Sequence, residues 1–509
     1  MPIAFRGMRI KKIYIIAFAV SYIYILLHFN SSIDAFAPLQ ISAIDETMEK
    51  GFLLDAYRNT VPSFHLLGSE LALMLGESSR FLLFSPIQLI PYTVLFFVLL
   101  LKISNSYFLA SLISITELTT GFTGTQRIFF WPHGIGSILY FALLILFLLI
   151  FSGKDRSVWQ YHLLAVIVGI SLVFTSYDVI FTYLLFLSSF IIYSMIFNNP
   201  AHLSRNNLDY RKHQSIKLLI LLIIAELGLT EFVYNNFINA LKSSDSFTLS
   251  VLDKFVLSYF SASAQDNILR DIYLHYPQSI TYYGYVKYGI LLVFLTLFLI
   301  HFITSINTRY KIHSIFIISI LSSMVIWAVI RLMIGHVEIG FFYYPAVFSI
   351  AWMYGNGGSI KKWAIAGIII LLAMNPIYHI LIYNEDLSNK DLDKFNYLSL
   401  PLSWCKEETS GTQMRSDELT KNYYIMSYRT QNFQTLDEND VAFLIKRTEY
   451  SSNDYFIINN DLNALNVGNW IQIVPWKVNE YLLENNEKIN KILNSKKVFI
   501  YAKKMQTNI

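Results

Sequence analysis

What most limits the fold of this chain is a series of apolar stretches, each close to 20 residues long and nearly free of charge. A helix of that length and composition matches the hydrocarbon thickness of a bilayer. Spans are expected near 13–29, 84–101, 105–121, 131–151, 161–177, 179–197, 218–238, 288–304, 312–334, 338–355 and 362–383, about eleven in all. The stretch at 105–121 is the most polar of them, with Glu117 and several Ser and Thr residues. Composition agrees: 54% of residues are hydrophobic, mean hydropathy is +0.45 and only 15% are charged, against about 25% in a soluble domain. The net charge of +4 gives no electrostatic ground for binding nucleic acid. The single cysteine, Cys405, excludes an internal disulfide framework. The basic start, "MPIAFRGMRIKK", runs into bulky apolar residues that continue to Phe29. That pattern reads as an uncleaved first span, since a signal peptide has a shorter apolar core and small residues at its cleavage site.

Orientation follows from Lys and Arg in short loops, because positive charge resists translocation. Arg6, Arg9, Lys11 and Lys12 place the N-terminus in the cytoplasm. With eleven spans, the basic loops at Lys154 and Arg156, at Arg205, Arg211, Lys212 and Lys217, at Arg309 and Lys311, and at Lys361 and Lys362 share that side. The outer face receives 30–83, 122–130, 239–287 and the C-terminal region. "PSFHLLGSELALMLG" at 62–76 is apolar, but it reaches only about 22 Å as a helix. If it crossed, every later basic loop would change side. It is expected along the outer interface, with Ser63, His65, Ser69 and Glu70 available to water or to a site. The segment after Asp34 is similar: Phe36, Leu39, Ile44 and Met48 can share an apolar face, and the segment stops at Gly51. The first outer loop, 30–83, is thus expected to hold two interfacial helices, and 239–287 forms a second large outer loop.

From about residue 385 the composition changes, with seventeen of the 35 acidic residues in this last quarter. "SSNDYFIINND", "GNWIQIVPW" and "KKVFIYAKK" read as short strands, and "LDENDVAFLIKRTE" and "VNEYLLENNEKINKILN" as amphipathic helices. The predicted fold is therefore mainly α. It comprises a polytopic transmembrane helical bundle over 1–384, with a structured first outer loop, and a small extracytoplasmic α/β domain over 385–509, long enough for a core of its own.

Ionisable residues gather at the outer ends of the spans. Asp34 follows the first span, Asp178 stands in the tight turn "FTSYDVIFTY", and Glu117, Glu231 and Glu338 mark other outer ends. The outer basic groups are Arg127 and His133 in "TGTQRIFFWPHGIG", and Arg331 and His336 in "IRLMIGHVEIGFFYYP". Ionisable groups at membrane depth point to function by default, although charges at span ends are also what topology alone predicts. Asp34 is read in two ways: as a helix N-cap, or as a carboxylate sheltered by lipid on one side and open to water on the other, able to act as a general base. The tyrosines of "LHYPQSITYYGYVKYG" suit either sugar stacking or an interfacial belt. Histidines lack metal-ligand spacing, and "DLD" at 391–393 and "DEND" at 437–440 read as solvated loop or cap residues, so no metal or other cofactor is expected.

The arrangement resembles a known family. A basic start and first span lead to an acid, an amphipathic helix and a glycine ("SIDAFAPLQISAIDETMEKG"), then a Pro-led apolar helix ("PSFHLLGSELALMLG"), many spans and a terminal α/β region. This is similar to the GT-C superfamily of polytopic glycosyltransferases, and within it to the archaeal and bacterial relatives of dolichyl-phosphate-mannose–protein mannosyltransferases. "FWPHGIGSILYFALLILFLL" and "EIGFFYYPAVFSIAW" are similar to internal spans of that group. The resemblance implies a multi-pass plasma-membrane enzyme that moves a sugar from a polyprenyl-phosphate carrier to a protein, lipid or glycan acceptor on the outer face. It implies Asp34 as base or acceptor-binding group. The chain departs from the family where Ala35 replaces a second acid and where Phe342, Tyr343 and Tyr344, not an arginine, precede Pro345. Phosphate contact then falls to Arg331, His336 or Arg127, and charge stabilisation at the sugar to Asp178 or Glu338, with His133 and His65 as further substrate-binding candidates. The WWD-type signature of oligosaccharyltransferases is absent. The alternatives are a lipid or sugar transporter or flippase, which would show repeats and mid-depth polar sites, and a non-catalytic assembly factor of a surface-polysaccharide pathway.

Overall fold

The computed structural model of the chain describes residues 37–51, 62–84, 87–120, 132–152, 158–197, 292–300, 312–333, 343–356, 361–370, 399–408, 413–416, 418–428, 433–436, 455–459, 464–467, 470–473, 489–494 and 498–503, with a few isolated positions besides. The expected spans at 13–29 and 218–238 and the second outer loop lie outside these residues, except for isolated positions.

Two helices in the region of the first outer loop come first: α1 (Ala37–Lys50) and α2 (Pro62–Leu75), followed by the short α3 (Ser79–Phe84). Gly51 and Gly76 end α1 and α2 at φ +71° and +66°. This left-handed conformation costs glycine nothing and closes the last turn, as the Gly51 N–H to Thr47 carbonyl bond of 2.9 Å shows. A bundle follows: α4 (Leu89–Ser104), α5 (Tyr107–Thr120), α6 (Pro132–Ser152), α7 (Val158–Val173), α8 (Tyr177–Phe197), α9 (Ile312–Met333) and α10 (Tyr343–Asn356). Residues 292–300 and 361–370 are also helical and bring Phe294, Phe298, Ala364 and Ile368 into the bundle core.

The core of the bundle is aromatic. Phe147 of α6 lies 4.4 Å from Phe190 and 5.1 Å from Phe186 of α8, and 6.1 Å from Phe316 of α9, centroid to centroid. Several hydroxyls buried in this apolar surround donate to the carbonyl four residues back, as Ser104 does to Leu100 (2.8 Å) and Ser319 to Ile315 (2.7 Å), which lets these residues sit inside without an unpaired proton. The outside of the bundle is apolar too. Leu163, Leu164, Ile167 and Ile170 of α7 and Ile192, Met195 and Ile196 of α8 are all exposed. Contiguous apolar faces of this kind are matched by hydrocarbon rather than water. Among the described residues one stretch, Val179–Ile196, is long and apolar enough to cross a bilayer unaided, and six shorter apolar helices accompany it.

The chain closes with α11 (Ser399–Glu408), β1 (Met414–Ser416), α12 (Glu418–Tyr428), β2 (Phe433–Thr435), β3 (Tyr455–Asn459), β4 (Ala464–Val467), β5 (Trp470–Ile473), β6 (Ile489–Asn494) and β7 (Val498–Lys503). Five strands form a mixed sheet in the order β2-β1-β3-β7-β6, with β1 parallel to β2 and β3, and β7 antiparallel to β3 and β6; β4 and β5 pair separately. Strands appear where 455–459, 470–473 and 498–503 were read as such. The end of the segment expected as a helix, 489–494, is instead strand β6. Its pairing with β7 supplies the backbone hydrogen bonds that an isolated helix would have had to make for itself, and its isoleucines fit a pleated surface. Alternation puts Met414, Phe433, Ile457 and Ile500 on one face of the sheet, as the pairings Met414–Phe433 and Ile457–Ile500 require.

That face does not close on itself. One core holds these four residues together with Leu402 and Cys405 of α11, Tyr423 and Tyr424 of α12, Ile41 and Ile44 of α1, Phe64 and Ala72 of α2 and Leu82 of α3. The apolar face of α1 is therefore covered by protein, with 41–44 buried throughout, and not laid on a membrane surface as the periodicity alone suggests.

Packing is tight where α6 meets the turn between α7 and α8. A Cβ at Gly136 would stand 2.8 Å from Ser176 Cβ and 3.1 Å from Val179 Cγ2. Gly136→Ala is expected to cost about 1–3 kcal/mol through overpacking and to lower the thermal midpoint of the detergent-solubilised protein. Gly289→Ala, where a Cβ meets nothing within 4 Å, should leave the midpoint at or above that of the parent.

Candidate functional site

Helix direction collects the candidate residues at one end of the bundle. The N–H of Ser63, at the start of α2, donates to the carbonyl of Phe174, in the α7–α8 turn, at 3.1 Å. The start of α6 packs on the same turn through Gly136, and Ile135 packs against the core shared by α1, α2 and the sheet. The starts of α4 and α10 meet in a hydrogen bond of 2.7 Å between the hydroxyls of Tyr92 and Tyr344, set among Phe96, Phe141 and Phe348. The starts of α6 and α8, and the ends of α7 and α9, thus face the helices of the first outer loop. The ends of α6 and α10 and the starts of α7 and α9, next to the basic stretches of the sequence at 153–157, 305–311 and 357–362, lie at the opposite end.

Antiparallel packing of α8 on α9 sets the height of the next two candidates. The rings of Phe181 and Trp327 stack with centroids 5.1 Å apart and planes inclined by 14°. Asp178 lies three residues before Phe181, and Arg331 four residues after Trp327. Both are one helical turn further toward the same end, so their backbones stand at matching heights on facing helices. Asp178 is the second residue of α8, where the helix dipole favours an anion, and Arg331 is in the last turn of α9, where it favours a cation. His133 is the second residue of α6. Asp34, Arg127, His336 and Glu338 lie outside the described residues. In sequence they fall three residues before α1, five before α6, three after α9 and five before α10.

His65 has a different surrounding from the one expected. It is buried, at 2% exposure, because α1 packs across α2. Its Nε2 lies 2.7 Å from Oε1 of Gln40, so Nε2 carries the proton and donates. Ser69 is buried as well and lies within hydrogen-bond range of the carbonyls of Ile44 and His65. Of the polar residues expected to face water, Glu70 is exposed and Ser63 half-buried. Burial pulls the imidazole of His65 down to about 4. Nothing in the sequence paired Gln40 with His65. Sequence reading also missed Trp327, whose buried indole N–H has no hydrogen-bond partner among the described residues, and the Tyr92–Tyr344 pair, joined across 252 positions. Among the described residues no group of three or more His, Cys, Asp or Glu could hold a metal ion.

No protein-family profile matches the chain, and no curated protein matches it. Solved structures do resemble it. The oligosaccharyltransferase of Archaeoglobus fulgidus, in complex with zinc and sulfate, is 12% identical, with 88% of this chain and 68% of that one covered and a TM-score of 0.49. ArnT of Cupriavidus metallidurans bound to undecaprenyl phosphate is 8% identical, with 96% and 97% covered and a TM-score of 0.45. Its apo form gives 10%, 96% and 98%, and 0.40. Likenesses of this size concern the course of the chain and say nothing of its substrate.

His65 makes stability depend on pH. Its folded value lies below the ordinary 6.5, so between pH 6.5 and about 4 the unfolded chain binds a proton that the folded chain refuses. The stability that its neutral form supports is complete above pH 6.5 and is lost as pH falls toward 4, by about 3 kcal/mol over the window. The thermal midpoint should drop more between pH 7 and pH 4.5 in the parent than in His65→Gln, which keeps a donor for Gln40. Equal drops would show that His65 is not the titrating group.

Proposed function

We propose that this chain is a membrane glycosyltransferase that moves a sugar from a polyprenyl-phosphate carrier to an acceptor on the outer face of the membrane. One observation carries the reading: α2, the α7–α8 turn with Asp178, the end of α9 with Arg331 and the start of α6 with His133 share one end of the bundle. An interfacial reaction between a lipid-borne donor and a water-borne acceptor needs its groups at that depth. A transporter site would instead lie near mid-membrane.

The reaction we infer is an inverting, direct displacement. Asp34 takes the proton of the acceptor hydroxyl as that oxygen attacks the anomeric carbon. The bond from that carbon to the lipid phosphate breaks on the opposite side. Positive charge grows on the sugar ring and is countered by Asp178 or Glu338. Negative charge grows on the departing phosphate and is met by Arg331, with Arg127 and His336 as further donors. An arginine can give two parallel hydrogen bonds to a phosphate, which a lysine cannot match in geometry. His133 enters from α6 as a substrate-binding group. His65, held by Gln40 inside the protein, acts as a strut between α1 and α2 and not as a direct ligand. The acceptor is a protein, a lipid or a glycan, and no metal enters the scheme.

The decisive experiment incubates purified protein in lipid with a panel of radiolabelled polyprenyl-phosphate sugars, undecaprenyl and dolichyl carriers included, and follows loss of label from the lipid. Asp34→Asn should slow transfer by about 10²–10⁴-fold, the usual contribution of a general base. Arg331→Lys should lower kcat more than it raises the KM for the donor, since the charge it meets develops in the transition state. Transfer by Asp34→Asn at the parental rate would remove Asp34 as the base. Absence of transfer from every donor would remove the enzymatic reading.

A further inference from the structure

We propose that the corner formed by α2 and α3 is seated in the outer leaflet of the bilayer, and that α1 and the α/β region stand on the membrane through it. This seat is independent of the sugar-transfer reading and needs only a bundle that spans.

The corner carries an apolar patch that water does not suit. Leu66, Leu73, Met74 and Leu75 of α2 and Phe81 of α3 are all exposed, Met74 at 81%. Leu73, Met74 and Leu75 lie together at the end of α2, and the turn at Gly76, with φ +66°, brings in α3 directly after them. Elsewhere the outer part of the chain hides its large apolar side chains: among the described residues from 399 onward, Leu400 and Ile492 are the exposed ones. A contiguous apolar patch on a body otherwise suited to water marks a surface with a partner. The opposite side of α2 is already occupied. Phe64, His65, Ser69 and Ala72 are buried, with Phe64 and Ala72 in the core shared with α1 and the sheet and His65 and Ser69 bonded to α1. Protein holds one side of the helix, and the other is left for a second contact.

Both ends of 62–84 indicate that this contact is lipid. At the first end, the Ser63 N–H is bonded to the Phe174 carbonyl. One turn before Phe174, Ile170 is exposed, and it continues the apolar exterior made by Leu163, Leu164 and Ile167 of α7. At the second end, Phe84 is five residues from Leu89, the first residue of α4, a link of at most about 18 Å. Ile90 and Val94 of α4 are exposed as well. The segment therefore leaves and rejoins the bundle where the exterior matched to hydrocarbon comes to its outer edge, and its patch continues that exterior. Glu70 and Glu77, exposed on the same segment, set the depth. A shallow seat, about 5–10 Å into the boundary between headgroups and acyl chains as for other interfacial helices, leaves both carboxylates among the headgroups, within reach of water and of lipid ammonium groups.

The test uses the full chain in nanodiscs of phosphatidylcholine and phosphatidylethanolamine, with one copy per disc and no polyprenyl lipid. Nitroxide labels are attached through Leu73→Cys, Met74→Cys and Phe81→Cys, and through Ile492→Cys on β6 as the reference in water. All four positions are exposed, so a label there disturbs no core. Cys405 stays in place, because it is buried and burial pushes its thiol up to about 12, which keeps it from competing for the label. Each label's collision rate with oxygen, which concentrates in the bilayer, is divided by its collision rate with a water-soluble nickel chelate. At positions 73, 74 and 81 this ratio is expected to exceed the reference by about 3-fold or more, as it does for side chains below the headgroups. A ratio equal to the reference at any of the three positions overturns the seat. So does a rise that appears only with two copies per disc, which assigns the patch to a second chain, or only after undecaprenyl phosphate is added, which assigns it to that lipid and not to the bilayer.

Discussion

Everything at the candidate end of the molecule depends on α1 being wedged between α2 and α12. Its apolar face is divided between two neighbours, and neither neighbour has a complete core without it. Ile44 belongs to a core that reaches Ile457 and Ile500 in the sheet, while its carbonyl accepts the hydroxyl of Ser69 on α2. One short helix thus joins the part of the chain that contacts the bundle to the part that forms the sheet. Burying a side chain such as Ile44 contributes roughly 1.5–3 kcal/mol, enough for the junction to define a position rather than tether two loose parts.

The wedge also explains the polar residues that accompany it. Gln40 and His65 would be costly in an apolar junction if left apart. Together they satisfy one donor and one acceptor at 2.7 Å, and the imidazole is kept neutral by burial. A buried polar pair of this sort fixes register: a slip of α1 along α2 would break the Gln40–His65 bond and the Ile44–Ser69 bond together, whereas the apolar contacts alone would tolerate it. Specificity of packing comes from the two hydrogen bonds, and adhesion comes from the isoleucines and tyrosines around them.

How much of this was legible in the sequence depended on the range of the interaction. The helices of the bundle were visible because apolar runs of near membrane length are a local signal. The expected spans at 105–121, 131–151 and 312–334 coincide closely with α5, α6 and α9. The basic loops gave an expected direction for each helix, and that expectation put Asp178, Arg331 and His133 at one end. What the sequence did not reveal was long-range. The periodicity of α1 shows an apolar face but not what covers it, and a protein core and a lipid surface select the same residues. Strand β6 was misread for a related reason: its isoleucines, lysine and asparagines fit a helix as well as a strand until β7 is beside it. The Phe181–Trp327 stack and the Tyr92–Tyr344 bond join residues more than a hundred positions apart, and no local pattern announces them.

The placement of charge ties topology to chemistry. In the seven described helices α4 to α10, the Asp, Glu, Lys and Arg residues are Lys102, Glu117, Asp178 and Arg331, and each falls in the first or last turn of its helix. Solvation forces this arrangement, because an ion at mid-bilayer costs several kcal/mol and one at a helix end can reach water. The helix dipole then agrees with the signs of three of the four, with the acid at the start of α8, the guanidinium at the end of α9 and Lys102 at the end of α4. An antiparallel pair of helices therefore brings an acidic and a basic residue to one backbone height at no great cost in stability. Stability alone accounts for the position of either residue singly. It does not require the acid and the guanidinium to stand on helices that face each other, one turn beyond a buried aromatic stack and beside the helix whose neighbour begins three residues after Asp34.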